Sequence, residues 1–272
     1  MEKLRINNRT NNSKKSNYYF QLTNSKLLSI SLPIIILMLW FIVAKFNIFS
    51  SAILPSIGQV IESFINQLTS GQLINDILTS FIRVLQGYLI AAILGIALGV
   101  LMGINKNINS FFYLTLTSIR QIPMLAWIPL IVLWFGIGET SKIIVIVLAA
   151  FFPILINTIS GINGTDHKLI EVGKMYNLSK LKLFTKIYLP SSIPSIFVGL
   201  KLGLGISWMA VVGAEIIAAT SGIGYRINDA RSLMQPEVVF VGMIVIAIIG
   251  LLMEQILNRI AKILTPWMNK KV

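Results

Sequence analysis

The residues whose types and spacing could do chemistry in this 272-residue chain concentrate in one polar stretch, Glu171 to Pro194, EVGKMYNLSKLKLFTKIYLPSSIP. Its chemistry is recognition, not bond-making. A carboxylate and a series of lysines alternate with apolar residues that recur at helical spacing, Leu178, Leu181, Phe184 and Ile187. The stretch closes with Ile187-x-Leu189-Pro190 and a second proline, Pro194. Elsewhere reactive groups are sparse. The chain has no Cys, so no thiolate nucleophile and no disulfide framework, and its one His, His167, lies beside the same stretch. The carboxylates are scattered among separate segments, which leaves no paired acid–base site and no metal-ligand spacing. No G-x-x-x-x-G-K-[ST] loop is present to cradle a phosphate. An integral membrane enzyme therefore lacks its cluster.

The elements that must position this stretch are membrane spans. The chain is 55% hydrophobic and 12% charged, with a mean hydropathy of +0.79, whereas soluble domains are roughly 25% charged. Six apolar segments, about Leu27–Phe46, Val84–Ile104, Ile119–Gly136, Ile143–Ile162, Ser195–Thr220 and Val238–Leu257, each approach the ~20 residues needed to cross the hydrocarbon. Pro123 and Pro129 interrupt the third, which is expected to kink. Residues 47–83 form the longest connection. Val60, Ile61, Phe64, Ile65 and Leu68 predict a surface helix within it.

The net charge of +13 is a matter of topology and not of nucleic-acid binding. With the N-terminus inside, 17 of the 23 Lys and Arg fall in inside segments and five outside, leaving Lys201 within a span. That bias predicts cytoplasmic N- and C-termini and places Glu171–Pro194 in the cytoplasm. Residues 1–26 are polar and basic and read as a flexible cytoplasmic tail without a cleavage site. Residues 27–272 read as the membrane domain. No internal repeat is found, and Lys201 and Glu215 are the charges read as lying clearly inside apolar segments. Both observations disfavour the competing reading, an ion-coupled secondary carrier or channel.

Read locally, the polar stretch is a helical hairpin spanning about 165–194. A first helix runs from Asp166 to Tyr176 with Thr165 or Asp166 as N-cap. Asn177 takes the left-handed turn, and a second helix from about Ser179 to Tyr188 ends at Pro190. An amphipathic hairpin between two spans implies a soluble partner that docks on it.

This pattern resembles the cytoplasmic coupling loop of ABC importer permeases, in which an EAA triplet precedes a Gly and then an I-x-LP. Glu171, Val172 and Gly173 stand at the triplet, Asn177 at the Gly, and Ile187, Leu189 and Pro190 at the close, with Phe184 between. The resemblance extends to Ser118-x-Arg120-Gln121-x-Pro123-x-x-Ala126-Trp127-x-Pro129-Leu130, to Leu133-Trp134-Phe135-Gly136, to Phe152-Pro153-Ile154 with Asn157-Thr158, and to Ala214-Glu215 followed by Ser221-Gly222-x-Gly224-Tyr225. These stretches are similar to the nitrate, sulfonate and taurine branch. The resemblance implies an all-α integral membrane protein with about six transmembrane helices, the type I ABC importer transmembrane domain, its core at about 77–260. It implies a permease that is not itself an enzyme and imports a small solute such as a sulfonate, taurine or nitrate across a bacterial plasma membrane. The implied assembly is a homodimer with two cytoplasmic ATPase subunits, which hold ATP and Mg, and an extracytoplasmic substrate-binding protein. No cofactor or metal is expected in this chain.

Candidate path or gate residues are Arg120, Gln121, Trp127 and Glu215. Glu215 is expected near the outer end of the fifth span, at the interface, or paired with Arg226 or Arg231. Lys201, about six residues into that span, is expected to snorkel. Gly95, Gly99 and Gly103, and Gly199 and Gly203, repeat every fourth residue and predict close helix packing.

The orientation is testable because the chain has no Cys of its own. A membrane-impermeant thiol reagent applied to intact cells or spheroplasts is expected to label Ser70→Cys and to spare Ser179→Cys. The opposite labelling pattern overturns the inside assignment of the hairpin.

Overall fold

The computed structural model describes residues 31–264. The expected tail 1–26 and the first four residues of the segment Leu27–Phe46 lie outside them. Two units are distinguished among the described residues, divided between Glu62 and Ser63. In the first, α1 (Ser31–Lys45) is a 15-residue apolar helix, and the Trp40 indole N–H donates to the Pro55 carbonyl at 2.9 Å. The helix α2 (Ile57–Thr69), with residues on both sides of that division, follows in the chain where apolar periodicity predicts it.

The second unit is built on three long helices, α3 (Gln72–Ile104), α6 (Glu139–Asn163) and α9 (Leu189–Ala218). α3 starts well before the expected Val84, because Gly71 at φ 75° reverses the chain and allows a new helix at once. At about 1.5 Å per residue its 33 residues reach about 50 Å, longer than the ~30 Å hydrocarbon.

α6 lies between the other two, and residues with little or no side chain allow it. Cβ atoms added to Gly87, Gly95, Gly99 and Gly103 of α3 would press on Ile146, Ile154, Thr158 and Ile162 of α6 in turn. Both series advance together, so α3 and α6 run parallel. α9 runs the other way: added Cβ atoms at Gly199 and Gly203 would meet the Pro153 and Ala150 carbonyls, and one at Gly161 would meet Ser192 and Ser195. Tyr88, Ala91, Ala150 and Ile154 form the buried centre of this sandwich, with Leu200 and Leu204 packed against it. The Tyr88 hydroxyl donates to the Leu200 carbonyl at 3.0 Å.

The expected third span is two helices. α4 (Lys106–Gln121) and α5 (Met124–Phe135) meet at a 98° bend. Pro123 explains it: the ring bars Ile122 from helical backbone, and Ile122 is extended at φ −76°, ψ 121°. The bend brings Ile128 and Ile131 of α5 onto Val145 and Ala149 of α6 and Ala210 and Ala214 of α9. α4 buries none of its residues.

α10 (Ile223–Ser232) and α11 (Pro236–Leu264) complete the unit. α11 runs antiparallel to α9, and the Trp208 indole donates to the Ile246 carbonyl at 2.9 Å. Among the described residues, four helices are long and apolar enough to cross a membrane, or five if the bent pair counts as one span.

The glycine seam predicts a contrast. Gly99→Val forces a branched side chain against Thr158 and the Leu155 carbonyl and is expected to cost about 1–3 kcal/mol. It should lower the thermal midpoint of the purified protein by several degrees. Gly205→Val, where nothing lies within 4 Å of the added Cβ, should not. Equal midpoints for both variants would refute the seam.

Candidate functional site

Two groups of polar residues stand at opposite ends of the α3–α6–α9 sandwich, separated by the ~37 Å that 25 residues of α6 span.

At the end where α6 terminates, Asp166 caps α7 (His167–Met175) by accepting the Lys168 amide at 2.9 Å. Asn177 then sits at φ 50°, the left-handed conformation that reverses the chain. Ser179 caps the short helix α8 (Lys180–Leu183), and one wide π-turn, Phe184–Tyr188, passes directly into α9. The expected stop at Pro190 does not occur. Lys180 to Ala218 is one helix of 39 residues. Pro190 has no N–H for the carbonyl one turn back, and its ring would strike that carbonyl in a regular α-turn. The π-turn widens the helix there, with the Leu189 N–H donating to the Phe184 carbonyl, so the helix survives both defects.

Gly173 holds the hairpin closed. It is buried, and a Cβ on it would press on the methyl ends of Leu183 and Ile187, which can rotate away from an Ala but not from a larger residue. Glu171, Val172 and Pro190 are exposed, and Phe184, Ile187 and Leu189 are half-buried. The outward face of α7 is apolar. Leu169, Val172, Met175 and Tyr176 lie on it, and Met175 and Tyr176 are 81% and 80% exposed. Leu181 of α8 is 72% exposed.

At the other end, six charged side chains meet. Glu215, expected at an interface or lining a path, is instead buried to 1%. Its partner is Arg83, at 2.7 Å, and neither Arg226 nor Arg231. The Ser80 hydroxyl lies 2.8 and 2.9 Å from its two oxygens, and the Gly224 amide donates to it at 2.9 Å. Arg83 spends its remaining donors on Glu139, by two bonds of 2.6 Å, and on the Ser221 carbonyl and hydroxyl. Lys142 joins Glu139 at 3.0 Å. Arg226 pairs with Asp76 at 2.9 Å, and Asp76 also accepts the Gly222 amide. Arg231 reaches Asn228. The sum is neutral, three carboxylates against three cations. Glu139 is exposed, while Asp76, Arg83, Lys142 and Glu215 are buried, and buried charges are tolerated only when paired.

The Ser221-Gly222-Ile223-Gly224 turn makes the network possible. Gly222 has φ 107°, and a Cβ there would collide with the Glu215 carboxylate. A Cβ on Gly224 would meet the Val212 carbonyl and Glu215. Arg83 and Lys142 are two of the five Lys and Arg that the topology count places outside, yet they are 2% and 3% exposed. The signal was present: Asp76, Ser80 and Arg83 fall four and three residues apart, on one helical face.

Lys201, expected to snorkel, pairs with Glu254 of α11 at 2.9 Å. Arg120 and Gln121 are exposed at the end of α4. Arg120 borders two recesses, of about 360 and 340 Å³, and Trp127 lines the first while packing on the α5–α6–α9 cluster. Among the described residues no group of three or more His, Asp or Glu side chains could hold a metal ion.

Residues 92–270 match the family described as binding-protein-dependent transport system inner membrane component. The chain is 37% identical over 238 residues to a putative aliphatic sulfonates transport permease protein of Bacillus subtilis (strain 168), covering 88% of this chain and 86% of that one. It is 32% identical over 260 residues to the taurine transport system permease protein of Escherichia coli (strain K12), covering 94% of each. Among solved structures, an amino acid ABC transporter shares the fold with a TM-score of 0.60 at 16% identity, over 74% of this chain and 96% of that one. The MetNI methionine ABC transporter in an inward-facing conformation shares it at 0.61 and 16%, over 72% and 97%.

The ion network predicts an asymmetric pair of variants. Arg83→Met leaves Glu215 buried without its cation and is expected to cost about 3–5 kcal/mol, seen as a large drop in thermal midpoint and yield. Arg83→Met with Glu215→Gln should recover part of that loss. A single variant as stable as the wild type would show that the pair carries no structural weight.

Proposed function

The chain belongs to the family of binding-protein-dependent transport system inner membrane components, and from that membership we propose that it is the permease subunit of an ABC importer for a small anion, such as a sulfonate, taurine or nitrate. The carrying observation is the apolar outward face of α7 and α8. Met175, Tyr176 and Leu181 are more than 70% exposed on a hairpin otherwise rich in lysine. Apolar side chains held out in this way on a polar connection mark a protein-docking surface. The occupant is a cytoplasmic ATPase subunit, which binds ATP and Mg and hydrolyses the nucleotide. Two permeases and two ATPases form the assembly, and an external binding protein delivers cargo at the opposite end.

This reading puts the hairpin, both termini and most of the Lys and Arg in the cytoplasm, and the Arg83–Glu215 network toward the outside. Residues 1–26 are the cytoplasmic tail, 27–272 the membrane domain and 165–194 the coupling loop. The single helix Lys180–Ala218 gives a physical route for coupling. A push on the docked hairpin at one end moves Glu215, and everything bonded to it, at the other. Arg120 and Trp127 border recesses near the bend between α4 and α5, Gln121 is exposed beside them at the end of α4, and these three are the residues proposed to face the path at its cytoplasmic mouth.

Two variants test the docking. Glu171→Lys reverses an exposed charge on α7 and should leave folding intact, while uptake and ATPase co-purification fall. Asn177→Val places a β-branched residue at φ 50°, a strain of roughly 1–2 kcal/mol. Substrate-stimulated ATP hydrolysis should fall about tenfold, with normal expression, while Asn177→Gly keeps wild-type activity. Unchanged association, uptake and hydrolysis in Glu171→Lys and Asn177→Val would remove the hairpin from the coupling path.

A further inference from the structure

Between α9 and α11 an apolar recess of about 650 Å³ holds two charges. Lys201 and Glu254 meet there at 2.9 Å, with side chains 42% and 50% exposed. Their depth follows from their neighbours. Gly199 and Gly203, on either side of Lys201, abut the Pro153 and Ala150 carbonyls, at the centre of the 25-residue helix α6. Each end of α6 is then about 18 Å away, beyond what a lysine stem can span by snorkelling. Charges exposed at mid-depth face a bundle interior or a water-filled cavity, not lipid. The other walls are apolar or bare: Gly205 one turn on, Met209, Gly250 and Leu251. Beyond its own stretch of helix backbone, nothing lies within 4 Å of where a Gly205 Cβ would stand, so the space beside Lys201 is open.

We propose that Lys201 is an anion-binding residue of the translocation path and that Glu254 is its resident counter-ion, displaced in part when a cargo anion arrives. An ammonium has three donors, and one goes to Glu254. The remaining two suit the oxygens of a sulfonate headgroup, while the apolar walls suit a short alkyl body. Glu254 keeps the empty recess neutral. It also makes the anion compete for the lysine, which keeps binding weak enough for release, as conduction requires. The inference rests on the import reading for the source and direction of the anion, not for the site itself.

The test uses the full transporter assembled with its ATPase in proteoliposomes, carrying Gly205→Cys as the chain's single thiol. Two methanethiosulfonates of similar size are compared, the anionic 2-sulfonatoethyl and the cationic 2-(trimethylammonio)ethyl reagents. Each forms a disulfide with the Cys thiolate and releases methanesulfinate. The anionic reagent is expected to react at least fivefold faster, and Lys201→Met should bring that ratio near one. No labelling by either reagent, or a ratio near one with Lys201 in place, overturns the proposal. The second readout is ATP-driven uptake of labelled taurine and butanesulfonate. Lys201→Met with Glu254→Gln restores neutrality, so a purely structural pair would be rescued, whereas an anion-binding lysine predicts uptake at least tenfold below wild type. Wild-type uptake in the double variant sinks the inference alone. A charge-selective thiol without any ATP-driven uptake in the parent transporter sinks the import reading and leaves the anion site standing.

Discussion

Close approach along α6 is the constraint on which the second unit depends. Two helices press on opposite sides of it, and glycines supply the contact on each, Gly87, Gly95, Gly99 and Gly103 on α3 and Gly199 and Gly203 on α9. In hydrocarbon, helices gain nothing by hiding apolar surface from lipid tails, so packing depends on van der Waals fit and on polar groups that find partners across the interface. Residues without a side chain bring backbones near enough for both. The branched side chains of Ile146, Ile154, Thr158 and Ile162 fill the gaps they leave, and the parallel register of α3 and α6 follows from the shared four-residue step.

That register decides where the charges meet. With α3 and α6 parallel and α9 reversed, the first turns of two helices and the last turns of the third fall at one end. Glu139 and Glu215 belong to those turns, Arg83 lies about three turns into the long helix α3, and the guanidinium has enough donors to reach both carboxylates and Ser221. Neutrality and complete pairing make the burial tolerable. Gly222 and Gly224 let the chain pass over Glu215, and Gly224 gives it an amide donor. The polar end is thus a consequence of the apolar seam and not an independent feature.

The opposite end is governed by local chemistry. Asp166 and Ser179 cap their helices with their own side chains, Asn177 accepts the left-handed turn, and Gly173 admits Leu183 and Ile187. None of this depends on contacts from distant parts of the chain, so the hairpin can keep its shape while presenting an apolar face to a partner. The π-turn before Pro190 makes the hairpin continuous with α9, in place of a hinge, and so gives the import reading a stiff connection between docking and the far end of the bundle.

By itself the sequence determined what depends on neighbours a few residues away. Apolar runs set the long helices, Pro123 set a break, Thr165 or Asp166 set a cap and Asn177 set a turn, because each acts through backbone geometry within one or two helical turns. The severity of the break, 98° and two helices where one kinked span was expected, needed α5's packing on α6 and α9. Passage of the helix through Pro190 needed a widened turn that no local preference announces. Charge pairing was decided by tertiary structure alone. Arg83 and Glu215 are 132 residues apart in sequence, and a lysine read as snorkelling found Glu254 on a different helix. A side chain's charge is written in the sequence, but the dielectric around it and the partner within 3 Å depend on which helices lie side by side.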